Sequence, residues 1–386
     1  MTAAESFLSG IRDRSLASGG GDLTSPELLR VLRDDTLPLL ALVHAAGEVR
    51  SHHFGNEVQV HVLNNAQNGL CPEDCSYCSQ AKTSTADIEP YTLKPESEVL
   101  AEAGRASAAG AHRYCMVFSG RGPTDRRTEK LAGYVRSIKR SFPGLEVCVS
   151  AGLLDEDKAR QLKDAGVDRL NHNLNTSRER YGDICTTHTY DDRLNTLAAA
   201  QKAGLQTCSG LIVGMRETHE ELVTLAESLR DLGADSIPVN FLLPFEGAAL
   251  QIAGGSESGG APLSPAYCLR VLCLFRFANP AADVRCAAGR EFHLRSLEAL
   301  CLHPANSVFL DGYLNSRGAE RERAYRMIAD AGFALSAGHD VEALREEAAL
   351  DRQRAEAEAL QPLTVGGADA GERAAIKSLG ELRPAR

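Results

Sequence analysis

From residue 58 onward, short apolar runs rich in Val, Ile, Leu and Phe alternate with longer stretches whose apolar positions recur at helical spacing. This alternation is the pattern of βαβ units around a parallel sheet. Eight strands are predicted, over 58–63, 113–118, 146–150, 169–173, 207–212, 236–241, 283–286 and 307–309. Helices are predicted between them over 96–109, 126–141, 155–165, 191–203, 218–232, 265–278 and 290–302, with an eighth over 321–331. Gly110, Gly144, Gly166, Gly204 and Gly233 fall at turns, several just past a helix end where a left-handed cap favours glycine. Eight strands, each followed by a helix, define an α/β fold of the TIM (β/α)8 barrel type.

Two flanks carry a different pattern. Residues 1–50 read as a helical lead-in. Ser25-Pro26-Glu27 marks a helix start with Ser25 as cap, ahead of Leu28, Leu29, Val31 and Leu32, and a second apolar helix begins at Leu39. The barrel is assigned to 51–335. Residues 336–386 form a charged, Ala-rich tail, read as a solvated helix over 342–360 and flexible, disordered chain beyond.

Composition changes this picture little. Of the 386 residues 43% are hydrophobic and 24% charged, ordinary values for a globular chain with a large core. The net charge of −10 argues against a nucleic-acid partner. Residues 1–14 lack a signal-peptide core, and the longest apolar stretch, 37–46, is too short for a bilayer, so no membrane association is expected. Eleven cysteines, an odd number in a long chain, do not make a disulfide framework and imply a reducing, cytoplasmic setting.

The cysteines do carry chemistry. Cys71-Pro72-Glu73-Asp74-Cys75-Ser76-Tyr77-Cys78 has the spacing C-x3-C-x2-C. Chance would produce it in roughly one chain in a hundred of this cysteine content. Three thiolates on one loop suit three irons of a cubane cluster and leave the fourth open. A zinc site would usually pair C-x2-C units, and buried small hydrophobes need no fixed spacing. Later strands add Cys115, Cys148, Asn171, Asn173, Cys208, Asn240 and Arg285, in a fold whose interior is normally packed with branched apolar side chains. Alternation puts Asn171 and Asn173 on one face and His172 on the other, and sets Arg285 opposite Cys286.

The motif resembles the signature of the radical S-adenosylmethionine enzymes. Its surroundings, from Leu63-Asn64-Asn65 through Cys78-Ser79-Gln80, are similar to the biotin synthase family. So are the blocks Arg113-Tyr114-Cys115-Met116, Glu146-Val147-Cys148, Asn171-His172-Asn173-Leu174-Asn175, Cys208-Ser209-Gly210, Pro238-Val239-Asn240 and Val284-Arg285. The resemblance runs from about His61 to Asp311.

It implies a 4Fe–4S cluster on Cys71, Cys75 and Cys78, and a 2Fe–2S cluster on Cys115, Cys148, Cys208 and Arg285. It implies S-adenosylmethionine contacts from Tyr77, Asn173, Asn175 and Arg193, and from Gly210, Ile212, Gly214 and Glu217 of a G-x-I-x-G-x-x-E segment. Asn173 and Asn240 are implied at the substrate, dethiobiotin. The implied activity is radical sulfur insertion into dethiobiotin to give biotin, in a homodimer supplied with electrons by a flavodoxin- or ferredoxin-type protein. No catalytic residue beyond the cofactor ligands is implied.

The sequence departs from the family at Asn175, where other branches carry Asp, and at Gly247-Ala248-Ala249-Leu250, where Gly-Thr-Pro-Leu is usual. From spacing alone Arg193 reads equally as a surface helix arginine. Cys268, Cys273 and Cys301 read as core, and Cys185 as an exposed, oxidisable loop thiol. His52, His53, His61, His188 and His293 show no ligand spacing and read as surface or supporting residues. Two other functions compete. Another radical enzyme on the same barrel would not need Cys115, Cys148, Cys208 and Arg285, and an electron carrier would normally use four cysteines on one cluster.

Overall fold

A computed structural model describes residues 2–243, 245–250 and 263–359. In chain order its elements are α1 (Ala3–Ser18), α2 (Ser25–Arg33), α3 (Leu39–Phe54), β1 (Glu57–Gln67), α4 (Glu96–Ala108), β2 (Arg113–Phe118), α5 (Asp125–Ser141), β3 (Glu146–Ser150), α6 (Glu156–Asp164) and β4 (Arg169–Asn171). There follow α7 (Tyr181–Ile184), α8 (Tyr190–Lys202), β5 (Gln206–Cys208), β6 (Leu211–Val213), α9 (His219–Asp231), β7 (Ser236–Phe241), α10 (Pro265–Ala278) and β8 (Asp283–Cys286). The last elements are α11 (Arg290–Leu294), β9 (Ser307–Leu310), β10 (Gly312–Tyr313), β11 (Ser316–Arg317), α12 (Arg321–Asp330), β12 (Ala334–Leu335) and α13 (Val341–Ala359).

The strands are parallel in the order β1-β2-β3-β4-β5-β7-β8-β9, and β9 pairs back onto β1 to close the barrel. The strand expected over 207–212 is two pieces, β5 and β6, both paired with β7, so the barrel has eight staves. The interruption lies at Ser209-Gly210. A Cβ on Gly210 would come within 2.0 Å of the Pro238 carbonyl oxygen, so only glycine allows this approach. Gly210 also accepts the amide N–H of Asn175, which starts a short bridge to Leu211.

The lead-in holds three helices rather than two, and α3 runs on to Phe54. The α2 cap is Thr24 rather than Ser25: Glu27 Oε2 accepts from the Thr24 N–H at 3.0 Å in a capping box. These helices cover α10, which is why every residue from Tyr267 to Ala278 is buried, Cys268 and Cys273 included. A helix apolar all round requires such a cover. Arg270 fastens the layers by donating to Val31 O (2.8 Å) and Leu37 O (2.9 Å). The helix expected over 290–302 breaks at Arg295, whose φ of 51° is left-handed, and continues as a 3-10 turn.

In the segment read as tail, α13 lies beside α12, with Leu344 and Ala348 against the core and Arg352 bridging to Glu322 at 3.1 Å. It is therefore a packed helix, not a purely solvated one. The remaining tail, 360–386, lies outside the described residues. Among the described residues no helix is long and apolar enough to cross a membrane.

Candidate active site with two sulfur clusters of side chains

The loop after β1 carries Cys71, Cys75 and Cys78, at the end of the barrel where the strands finish. Cys75 is buried and the other two are half-buried. Backbone bonds hold the loop: Ser76 N–H donates to Ile184 O (2.9 Å), Leu250 N–H to Ser76 O (2.8 Å) and Lys82 N–H to Glu73 O (2.9 Å). The two acids inside the motif clasp it to the segment after α7. Asp74 accepts from the Thr186 and Thr187 amides at 3.0 and 3.3 Å, and Glu73 accepts from Thr187 Oγ1 (2.6 Å) and His188 Nδ1 (2.5 Å). The Thr186 hydroxyl holds the Asp74 carboxyl well below its ordinary range. Burial opposes ionisation of Glu73, but its hydrogen bonds to Thr187 and His188 prevail and its pKa is lowered. Burial pushes the Cys78 thiol up to about 11 and raises Cys71 as well, so both are held as neutral thiols in the cluster-free chain.

Next to this loop lie the residues expected at S-adenosylmethionine. The Tyr77 hydroxyl accepts from Asn175 Nδ2 (2.5 Å) and Arg193 Nη2 (3.5 Å). Arg193 is buried, donating to Asn173 O (2.5 Å) and to the Tyr181 hydroxyl, so it is no surface arginine. Asn175 has φ 70°, a left-handed conformation that asparagine tolerates better than most residues. Glu217 is buried and accepts the N–H groups of Gly214 and Met215, each at 2.7 Å. It thus shapes the turn after β6 instead of facing an opening. Burial raises its pKa. Ile212 is half-buried, its N–H bonded to Asn175 O.

A second cluster of sulfur lies inside the barrel. Cys115 and Cys148 are direct register partners on β2 and β3, and Cys208 is the partner of Asn171 on the neighbouring pair. With Asn173, Arg285 and Phe309 these thiols line one narrow inner pocket. Arg285 Nη1 stands 3.9 Å from the Cys208 sulfur, and Asn171 Nδ2 donates to that sulfur at 3.2 Å. The three thiols share protons: Cys148 is raised by its bonds to Cys115 and Cys208, while both of those are lowered, Arg285 contributing. Cys286 faces the other way, buried against Cys301.

Beneath the thiols is a charge hub that the sequence reading missed. Asp283 accepts from Arg285 Nη2 (3.1 Å), Arg113 Nη1 (3.0 Å), Ser236 Oγ (2.9 Å) and Ser307 Oγ (2.5 Å). Arg169 Nη1 lies 3.8 Å away. Burial alone would raise the Asp283 pKa, but Arg285 and Arg113 depress it well below normal. The signal was available: Asp283 is two residues before Arg285 on a strand, hence on the same face.

The fit to iron–sulfur groups can be judged from these donors. Three buried thiols from three strands converge on one cavity, and Arg285 Nε is buried without a partner. Such an orphan is rare in an interior and is consistent with a group that would supply an acceptor. Three guanidiniums face Asp283, and with Arg113 also paired to Glu146 (2.8 Å) one positive charge is left over, which suits a cluster carrying several thiolates. The residues therefore fit.

Three residues are placed in new surroundings, one of them against expectation. Asn240 does not present a free amide: its Nδ2 donates to Leu211 O (2.9 Å) and its Oδ1 accepts from Ala288 N–H (3.2 Å). Cys185 is buried, not exposed, with its sulfur 3.7 Å from that of Cys75. Of the two roles read for His188, surface or supporting, the second fits, since it stands buried between Glu73 and Arg193. Tyr313, not singled out from sequence, lines the cavity and sits in a hairpin tied by Asn315 to Asn68 (3.0 Å) and Ser79 (3.3 Å).

A barrel with this sulfur-bearing mouth agrees with family comparison. The profile of the Radical SAM superfamily matches residues 68–229, and that of the Biotin and Thiamin Synthesis associated domain matches 238–334. Solved structures of the same fold include methylornithine synthase (TM-score 0.71, 22% identity, 86% of this chain and 99% of that one). Another is the [FeFe]-hydrogenase maturase HydG (TM-score 0.70, 16% identity, 87% of this chain and 77% of that one). Among curated proteins, the biotin synthase of Magnetococcus marinus is 54% identical over 79% of this chain and 92% of its own length. Those of Acaryochloris marina and Bacillus subtilis are 52% and 43% identical, over 80% and 86% of this chain and 87% and 96% of their own lengths. The chain belongs to the biotin synthase family.

Proposed function

We propose that this chain converts dethiobiotin to biotin, inserting one sulfur between two unactivated carbons. Aliphatic C–H bonds resist acid–base chemistry, so a cofactor must supply a radical. When bound, a 4Fe–4S cluster would supply the electron that releases a radical from S-adenosylmethionine, and a 2Fe–2S cluster would supply the sulfur. Cys71, Cys75 and Cys78 would hold the first. Cys115, Cys148 and Cys208 would hold the second, with Arg285 beside it.

The chain's own residues supply placement and shielding. Arg193, Asn173, Asn175 and Tyr77 form one hydrogen-bonded group beside the cysteine loop, ready to orient the carboxylate and ribose of S-adenosylmethionine. Gly210, Ile212, Gly214 and Glu217 would hold backbone against the adenine, with Glu217 fixing that turn rather than touching the ligand. Asn173 faces the cavity and would meet dethiobiotin. Asn240 would act on the substrate through its neighbours, since its amide is occupied by backbone. The closed wall excludes water from the radical.

Residues 51–335 would act as the catalytic unit, with 1–50 as its cover. A flavodoxin- or ferredoxin-type donor, a homodimeric state and a cytoplasmic location follow from the family reading.

The observation that carries this proposal is the convergence of three thiols and Arg285 from four separate strands on one interior cavity. Anaerobic reconstitution with iron, sulfide, S-adenosylmethionine, dethiobiotin and a reductant tests it, with products read by mass spectrometry. Biotin and 5′-deoxyadenosine together are expected. Formation of 5′-deoxyadenosine with dethiobiotin left intact would refute the substrate, and neither product would refute the reaction class.

A further inference from the structure

Tyr313 has no role in the assignments above, yet it borders the inner pocket together with Asn173, the three thiols and Phe309. Its ring packs edge-on against Phe309, with centroids 5.6 Å apart. The same two rings also border a second hollow, formed with Ala287 and Ala288 after β8. They therefore stand as a wall between the thiols and the mouth of the barrel. Among the described residues the Tyr313 hydroxyl has no hydrogen-bond partner, and it is not sealed in by its neighbours. Burial, helped by Cys208 and Cys115, pushes its pKa up, so the group stays a neutral donor. A wall that only had to be apolar would be served by phenylalanine, as it is at Phe309. A phenol facing an interior pocket without a partner costs free energy until something accepts from it.

The hairpin that carries this ring is held against its own backbone preferences. Asp311, Gly312 and Leu314 all have left-handed φ, of 65°, 98° and 50°, and leucine is ill suited to that region. Such strain persists only where the surroundings over-determine it. Here Arg321 Nε grips both oxygens of Asp311, at 2.7 and 2.9 Å, and Asn315 ties the turn to Asn68 and Ser79. The place of Tyr313 is therefore fixed before any ligand arrives. A second unclaimed donor lies in the same pocket. Asn173 Oδ1 already accepts from Asn171 Nδ2 (3.2 Å) and Gly210 N–H (3.1 Å), and its Nδ2 has no partner among the described residues.

We propose that Tyr313 is a further substrate-binding residue, its O–H donating to the carbonyl oxygen of the cyclic urea of dethiobiotin; this rests on the substrate reading above. Both carbons that receive sulfur are attached directly to the urea ring, so the ring must follow them into the pocket of the inner thiols. The carbonyl lies on the far side of the ring from those carbons, turned toward the mouth, where Tyr313 stands. A urea carbonyl has two lone pairs, which the Tyr313 hydroxyl and Asn173 Nδ2 fill together. Asn240 cannot do so, because its Nδ2 is spent on Leu211 O and Pro238 O.

The test uses the full-length chain reconstituted with both clusters, with S-adenosylmethionine but no reductant, so that dethiobiotin binds and is not consumed. Equilibrium dialysis with labelled dethiobiotin should show Tyr313→Phe binding it about tenfold more weakly. Affinity for S-adenosylmethionine and the denaturant midpoint should not move, because the hydroxyl has no partner in the empty chain. A second arm uses a dethiobiotin analogue with sulfur in place of the urea oxygen, a poorer acceptor. It should bind the unaltered chain more weakly than dethiobiotin does, and lose little more in Tyr313→Phe. Dethiobiotin affinity of Tyr313→Phe within about twofold of the unaltered chain would overturn the assignment, as would an equal loss of affinity for S-adenosylmethionine. So would a full additional loss with the analogue in Tyr313→Phe, since the hydroxyl would then act elsewhere than on the carbonyl. An unaltered chain that binds S-adenosylmethionine but not dethiobiotin would instead overturn the substrate reading, and the role of Tyr313 with it.

Discussion

Replacing Asp283 by asparagine probes the base of the inner cavity. The side chain keeps its size, but the carboxylate at the centre of Arg113, Arg169 and Arg285 loses its charge. The new NH2 must also replace one of the two oxygens, facing either the two guanidiniums and Ser236 or the Asn306 amide and Ser307. All of these groups are buried. Removing one partner of a buried ion pair costs about 3–5 kcal/mol, because the remaining charges stay desolvated and unpaired. A domain's whole stability is about 5–15 kcal/mol, so the loss is a large share of it. Urea unfolding of the cluster-free chain should show a midpoint lower by on the order of 1 M or more, at a slope of a few kcal/mol per M.

The pH dependence gives a separate check on the same residue. The Asp283 pKa is depressed in the folded chain, so its stabilisation is present above the unfolded value of about 3.9 and is lost as pH falls below it. The unaltered chain should therefore lose stability steeply below about pH 4, and Asp283→Asn should lose less over the same range. A variant within about 1 kcal/mol of the parent, with an unchanged acid limb, would refute the hub as a source of stability.

Further outcomes are expected at the site. Cys148→Ala should lower reconstituted iron from about six to about four per chain and abolish biotin formation while 5′-deoxyadenosine still forms, as measured by iron assay and product analysis. Arg285→Met should keep the second cluster with an altered absorption spectrum, because three thiolates remain, whereas Cys208→Ala should lose it; equal loss in both would make Arg285 a principal anchor. Gly210→Ala places a methyl 2.0 Å from Pro238 O and should push β6 off β7, costing about 1–3 kcal/mol in denaturant unfolding and weakening S-adenosylmethionine binding in equilibrium titration.

The barrel was legible because its strands and helices are written in local periodicity, and β2, β3, β7 and β8 have the ends the apolar runs predict. The C-x3-C-x2-C loop was legible for a related reason: three ligands within eight residues can meet by turn geometry alone. The inner cluster was different. Cys115, Cys148 and Cys208 were picked out by resemblance and by being odd in a barrel strand, not by any spacing among themselves.

What joins the inner thiols is strand register, Cys115 against Cys148 and Asn171 against Cys208, and register is fixed only when the barrel closes through β1 and β9. The same closure aims Arg113, Arg169 and Arg285 at Asp283, and it uses Asn240 to stitch Leu211 to Ala288. Cys185 and His188, read from sequence as a loop thiol and a supporting histidine, become neighbours of Cys75 because Glu73 and Asp74 pull the segment after α7 onto the cysteine loop. Sequence by itself therefore determined what depends on near neighbours, the elements and the ligand loop. The tertiary structure decided which distant polar groups share a buried point, because the cost of burying each of them depends on partners that the chain brings together only when folded.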